Sequence, residues 1–495
     1  MQRETVSIDP HFSLTNPSVG AARHVFDTLA HPDERQRMRP ALALTWQAVT
    51  PTEWEYRLRP NVRFHDGAPF TAEDVAFSLA RAPNVPGVVG GFGVMPRQIT
   101  GIRVVDPLTI RLTTATPFPL MTEHLSAVPI VSRAVGEGAQ TADYNSGKSA
   151  IGTGPFRFVS WTRGDRLRLT RNDGYWAPVA PWSDVTIRPI TDDGARVAAL
   201  LSGAVDAIDM LPSAIIATIR ARGDMRIAAV VSNRVAFLGV NMTADPTPFT
   251  TGAAGNALPR NPFADQRVRR AMSKAINREA VTSRVLDGQA VPAAQFLPDG
   301  YPGTSRKLFP EAYDPDGARS LLAEAGYPQG FNLVLLATRD RGANDIKVAE
   351  AIAQMLTRVG VRTSVDAMPY STFQPRYMRT DFALALRSWG TETGEGSMAL
   401  RAILGTRDPV AGWGMINGGR YSNPMVDTLL TRALATLDSS AREVLVSQAT
   451  ELALNEQGVI PLHYDIAAWA MRPGVTYAAR SDNYSFSWEF RPIEQ

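Results

Sequence analysis

The stretch FHDGAPFTAEDVAFSL, residues 64–79, gathers His65, Asp66, Thr71, Glu73 and Asp74 within ten residues. These are side chains that ligate metals or move protons. A zinc site would want a second histidine or a thiolate at helical spacing. The chain has no cysteine, and none of its six histidines pairs with another at i, i+3 or i+4. Each polar residue has a structural task instead. Val62 and Phe64 end a strand, and Asp66-Gly67 turns the chain. Thr71, with Asp74 three residues on, is a helix-start signature. Glu73 and Asp74 fall in the first turn, where carboxylates favour the helix dipole. Ala72, Val75, Ala76 and Leu79 give a buried face at i, i+3, i+4 and i+7. The stretch is predicted to be a strand turning into a helix.

A second constellation is made of opposite charges. FNLVLLATRDR places Arg339 just past a buried strand, and DFALALRSWGTETGE places Trp389, Gly390, Thr391, Glu392 and Thr393 just past another. Ligands of open α/β sheets bind outside the carboxyl ends of strands. A guanidinium can grip a carboxylate with two parallel hydrogen bonds, and Glu392 can accept from an ammonium. Each charge is costly to bury alone, so a ligand with ends of opposite sign is expected. A direct salt bridge between Arg339 and Glu392 is the alternative reading.

The elements that would hold these residues follow from periodicity. WEYRLRPNVRF and GIRVVDPLTIRLTTATP alternate as half-exposed strands, and GPFRFVSWTRGDRLRLTRN reads as a hairpin turned at Gly164-Asp165. DDGARVAALLSGAVD reads as a helix with acids at its start. ADQRVRRAMSKAINREA places Val268, Ala271, Met272, Ala275 and Ile276 on one face. From about residue 315 helices and strands alternate, the order expected of parallel strands with crossover helices. In NDIKVAEAIAQMLTRVG the inward set is Ile346, Ala349, Ile352, Met355, Leu356 and Val359. TADPTPFTTGAAGNALPRNPF is expected to be a long loop. No internal repeat is found.

Bulk properties narrow the function. The 495 residues allow two or three domains. Apolar content of 44% and charged content of 20% are ordinary for a globular protein. A net charge of +3, spread without a dense basic block, does not argue for nucleic acid. The absence of cysteine excludes disulfides and thiolate chemistry. No run approaches the ~18 apolar residues of a membrane span. MQRETVSIDP lacks a basic-then-apolar leader. YNSGKS lacks the glycine a phosphate loop needs, with Ala142 in its place. No HExxH or GxSxG occurs, and no enzymatic activity, cofactor or metal is expected.

WEYRLRPNVRFHDGAPFTAEDVAFSLAR resembles the signature of family 5 extracellular solute-binding proteins of ABC transporters, the dipeptide, oligopeptide and nickel binders. GTGPFRFVSWTRGDRLRLTRNDGYW, LLSGAVDAID, FLGVNMT, PFADQRVRRAMSKAINREAV, YDPDGARSLLAEAGYPQGF and RYSNPMVDTLL agree in the same order over nearly the whole chain.

The resemblance implies an α/β, two-lobed clamshell with an extra inserted subdomain. Domain I would comprise residues 1–30, 152–235 and 466–495, the inserted subdomain 31–151, and domain II 236–465. In relatives that bind dipeptides, an arginine holds the peptide carboxylate and an acid after a Trp holds its ammonium. Arg339 and Glu392 fall on those positions. Glu stands for the usual Asp, and Glu395-Gly396 for the usual Asp-Pro. Further ligand contacts are expected from Trp389, Gly390, Thr391 and Thr393, from Phe92 and Met95 of the inserted subdomain, from Thr15 and Asn16, and from Asn417. The expected function is capture of a short peptide or peptide-like zwitterion for an inner-membrane ABC permease. A metal–chelator complex, opine or sugar is the alternative ligand. The expected protein is a periplasmic monomer, exported through a signal that precedes this numbering, with no nucleic-acid partner.

Overall fold

The computed structural model describes residues 1–88, 96–342, 344–391 and 393–493. The chain divides into two compact units, residues 1–230 with 467–495, and residues 231–466.

The first unit opens with helix α1 (Asn16–Val25). Strands β1 (Ala43–Thr50) and β2 (Glu53–Leu58) follow, then helix α2 (Ala72–Arg81), then β3 (Ile99–Asp106) and β4 (Thr109–Thr114). The four strands form an antiparallel sheet in the order β1-β2-β4-β3.

The start of α2 is built as the sequence predicts. Asp74 Oδ2 accepts the Thr71 backbone N–H at 2.8 Å and the Thr71 hydroxyl at 3.1 Å, while its Oδ1 accepts the Arg133 N–H at 2.8 Å. Ala72, Val75 and Leu79 are buried. The His65 ring is consumed by backbone: Nε2 donates to the Gly154 carbonyl at 3.0 Å and Nδ1 accepts the Gly152 N–H at 3.3 Å. Burial pushes this imidazole down to about 4. It is a neutral structural histidine.

Strands β5 (Phe156–Thr162), β6 (Arg166–Arg171) and β7 (Asp184–Ile187) make a second antiparallel sheet. Ahead of β5, GTGPF packs on the end of α1, where the Gly154 N–H donates to the Val25 carbonyl at 2.9 Å. A Cβ on Gly152 would lie 1.9 Å from the Val25 oxygen. That approach requires glycine.

Strand β8 (Arg226–Val240) carries the chain from the first unit into the second. There helix α3 (Gln266–Ala275) buries Val268, Ala271, Met272 and Ala275, followed by Ile276. The alternation beyond it is β9 (Phe331–Thr338), α4 (Asp345–Arg358), β10 (Val361–Met368), α5 (Tyr370–Met378) and β11 (Leu384–Gly390). β9 is parallel to β10 from Phe331↔Val361 to Thr338↔Met368, and parallel to β11 at Leu335↔Leu384 and Leu336↔Ala385. β11 runs antiparallel to β8. Side chains alternate between two packed faces. Leu333, Leu335, Ala337, Leu384 and Leu386 join the larger core, while Leu336 and Ala385 join Met368, Phe373, Tyr377 and Phe382 under α5. Strand β12 (Val459–Met471) returns the chain to the first unit.

Two local expectations need correction. Helix α4 centres its buried stripe on Val348, Ala349, Ile352, Ala353 and Leu356. That rotates Ile346 to the margin, where it is exposed, and leaves Met355 partly buried. The segment expected to be a long loop contains a strand, Thr250–Gly252, paired antiparallel with Leu333–Phe331 of β9. Edge pairing there satisfies backbone groups that a loop would leave to water.

Candidate functional site

The carboxyl ends of β9 and β11 lie together on one edge of the second unit. The turn after β9 is knitted by Asp345, whose Oδ2 accepts from the Thr338 hydroxyl at 2.6 Å and the Gly342 N–H at 2.9 Å. Arg339 sits on this turn with its backbone N–H on the Met368 carbonyl at 3.0 Å. Its side chain is exposed and has no ion pair among the described residues. Asp340 Oδ1 accepts the Tyr370 N–H at 2.8 Å, which ties the same turn to the start of α5. Arg339 is thus a solvated cation on a fixed backbone. Glu392, the acid expected opposite it, lies outside the described residues, as do Phe92 and Met95.

The neighbours of Glu392 are held tightly. Trp389 pairs with Val235 and Gly390 with Arg234 across β8 and β11. Trp389 packs against the cluster of Val235, Phe237 and Leu400, and its buried indole N–H has no acceptor among the described residues. Thr391 and Thr393 are buried, their hydroxyls 3.2 Å apart. The Thr391 carbonyl accepts the Asn233 side-chain N–H at 2.8 Å. Glu395, at the departure from the usual Asp-Pro, caps the short helix Gly396–Ala399 by accepting the Ser397 N–H at 2.9 Å.

The remaining expected contacts belong to other elements of the two units. Asn417 is buried in the second unit and spends both amide N–H groups on the Gly405 and Tyr421 carbonyls, at 2.9 and 2.7 Å. It holds its own turn, and the expectation of a ligand contact there is corrected on that ground. Thr15 and Asn16 open α1 in the first unit. The Thr15 hydroxyl donates to Ser18 Oγ at 3.1 Å, and Asn16 Nδ2 lies 3.5 Å from the Asp482 carbonyl.

One feature of the strand ends was missed from the sequence. Arg387 interrupts the otherwise apolar alternation ALALRSW in β11. Its guanidinium lies 3.8 Å from the Tyr377 ring centroid and 5.9 Å from that of Phe373. Arg341, from the β9 turn, lies 4.3 Å over Tyr370. Burial holds the Arg387 guanidinium below its ordinary range, and the charge of Arg341 adds to that against the opposing pull of Tyr377 and Tyr370. The charge within a hydrophobic strand was the available signal.

Among the described residues no group of three or more His, Asp or Glu side chains could hold a metal ion. No described helix is long and apolar enough to cross a membrane.

The chain is similar to known proteins. The model for bacterial extracellular solute-binding proteins, family 5 middle region, matches residues 37–409. The glutathione-binding protein GsiB of Pectobacterium atrosepticum is 29% identical over 457 residues, covering 90% of this chain and 84% of that protein. GsiB of Salmonella typhimurium is 27% identical over 468 residues, covering 92% of this chain and 86% of its own. Among solved structures, HbpA2 from Haemophilus parasuis superposes with a TM-score of 0.85 at 22% identity, over 99% of this chain and 98% of that one. With about three quarters of its length matched by the family model, the chain belongs to the family 5 bacterial extracellular solute-binding proteins.

Proposed function

We propose that this solute-binding protein captures a short peptide or peptide-like zwitterion, with Arg339 on the ligand carboxylate and Glu392 on its ammonium. The observation that carries the reading is Arg339, a cation with no ion pair among the described residues, on a braced turn at the carboxyl end of parallel strands. Such a guanidinium is ready to form a bidentate pair with an incoming carboxylate. The GsiB relatives are named for glutathione, which is a short peptide. As a family 5 member the protein is a carrier for an ABC importer and not an enzyme. We further read it as a periplasmic monomer that delivers its ligand to an inner-membrane permease, and residues 31–151 as a subdomain inserted in the first unit.

Thermal-shift titration against dipeptides, tripeptides, nickel chelates, opines and sugars tests the ligand class, because a ligand that binds only the folded state raises the melting temperature by mass action. Peptides with free ends should produce the shift. A shift from chelates or sugars with none from peptides would refute the reading.

A further inference from the structure

Arg387 offers five N–H donors and has one acceptor among the described residues, Gln374 Oε1 at 3.2 Å. No carboxylate among the described residues reaches it. Other guanidiniums in the same unit are better served. Arg376 pairs with Asp366 and Asp381. Arg278 donates to the Pro461, Ser273 and Glu311 carbonyls and the Ser273 hydroxyl. Arg401 and Arg420 also have a single carbonyl acceptor each among the described residues. Arg387 differs from them in where it sits. Counting from the Leu336↔Ala385 pair, it is two residues further along its strand, and Arg339 is three further along the neighbouring one. Both residues therefore stand near the carboxyl ends of neighbouring strands, with Arg387 on the face of Leu336 and Ala385.

Beneath Arg387 lies a column of rings. Tyr370, Phe373, Tyr377 and Phe382 stack in sequence, with centroids 6.5, 6.1 and 4.7 Å apart and interplanar angles of 19°, 7° and 18°. The faces of Tyr377 and Phe373 offset part of the charge, as cation–π contacts do. They leave the remaining N–H donors without an anion. A partly buried cation in that state is destabilising until something negative arrives.

We propose that Arg387 is a specificity residue, selecting ligands that carry a second anionic group, a side-chain carboxylate, besides the one held at Arg339. This rests on the peptide reading above and narrows it to acidic peptides. The buried aromatic column would support the guanidinium from beneath while it takes that carboxylate.

The test is calorimetric binding of matched pairs that differ in one carboxylate: Ala-Glu with Ala-Gln, and Ala-Glu-Ala with Ala-Gln-Ala. The wild type should bind the glutamyl member about tenfold tighter or more, the scale of one charge-assisted pair. Arg387→Gln should remove that preference by weakening the glutamyl peptides alone. Arg387→Lys, which keeps the charge and loses the fork, should retain part of it, and carries the test if the glutamine variant does not fold. Equal affinities within each wild-type pair would overturn the inference. So would an equal loss for both members in Arg387→Gln, the mark of a structural role. In either case, glutaminyl binding that still weakens in Arg339→Ala would leave the peptide reading standing. Failure of every peptide to bind would overturn both.

Discussion

Trp176 donates its indole N–H to Asp27 Oδ2 over 2.7 Å, and the same buried carboxylate takes the Thr153 hydroxyl at 2.9 Å and the Tyr175 hydroxyl at 3.0 Å. Burial raises Asp27 to about 6, and these three donors restrain the rise. The NDGYW segment is anchored to the end of α1 by this one acid. His31 Nε2 lies 3.5 Å from Asp27 Oδ1 yet faces the Thr28 N–H at 3.4 Å, and burial pushes His31 down to about 3. The ring therefore meets the carboxylate as a neutral acceptor, and the two form no ion pair.

The first unit should lose stability in acid. Burial holds His11, His24 and His65 near 4 and His31 near 3. From about pH 6.5 downward the unfolded chain takes up protons that these folded rings refuse, so the unfolded state gains until the folded rings titrate in turn, near pH 4. Asp27 has the opposite sign, because the folded state takes its proton near 6 and the unfolded state only near 3.8. Burial also raises Asp74 and Glu489, which act in the same sense as Asp27, but the four histidines titrate across the whole interval in the unfolded chain, and the melting temperature should fall between about pH 7 and about pH 4. Asp27→Asn should steepen that fall by removing a compensating contribution of about 3 kcal/mol at most. A melting temperature that is flat or rising over this interval, measured by calorimetry, would contradict the assignment.

Asp74 accepts two backbone N–H groups, from Thr71 and Arg133, besides the Thr71 hydroxyl. Asp74→Ala strands both donors at a largely buried site, and urea denaturation should show a loss of about 1–3 kcal/mol for each group left unpaired. Asp74→Asn keeps one oxygen and should cost less. Equal stability of the alanine variant and the wild type would show that water replaces the carboxylate.

Gly152 and Gly164 should respond differently to alanine. At Gly152 the new Cβ would meet the Val25 oxygen at 1.9 Å, whereas at Gly164 nothing lies within 4 Å and only the left-handed backbone, φ +75°, is strained. Gly164→Ala is expected to cost about 1–2 kcal/mol. Gly152 has no left-handed backbone to strain, but its Cβ would force α1 or the loop to move, at about 1–3 kcal/mol of overpacking and occasionally more. Melting temperatures of the two variants rank them, and the reverse order would place the close approach elsewhere.

Much of this was legible in the sequence, for definable reasons. The start of α2 and the buried face of α3 were read correctly because capping and 3.6-residue periodicity are local. The position of Arg339 just past a strand was legible because a short apolar run ending in polar residues marks a buried strand and its end. Asn417 was misread because an Asn-Gly pair looks alike whether its amide points at a ligand or at Gly405 and Tyr421. The short strand Thr250–Gly252 was missed because its partner, β9, lies about eighty residues away. Arg387 was visible as a charge in an apolar strand, but its lack of an anion is a three-dimensional fact.

Arg339 gives the sharpest expectation for binding. Its exposed guanidinium has no ion pair among the described residues to lose, so Arg339→Ala should leave the melting temperature of the free protein nearly unchanged. The same variant should weaken a peptide with a free C-terminus by about 2–5 kcal/mol, the scale for truncating one side of a desolvated charge pair. Arg339→Lys should fall between, since an ammonium supplies the charge without the planar fork. Amidating the peptide C-terminus closes a double-mutant cycle. The amide should cost the wild type about as much as the mutation does, and should cost Arg339→Ala almost nothing further. Additive losses in the calorimeter would mean that Arg339 and the ligand carboxylate do not touch, and the carboxylate anchor would then have to be sought at another cation.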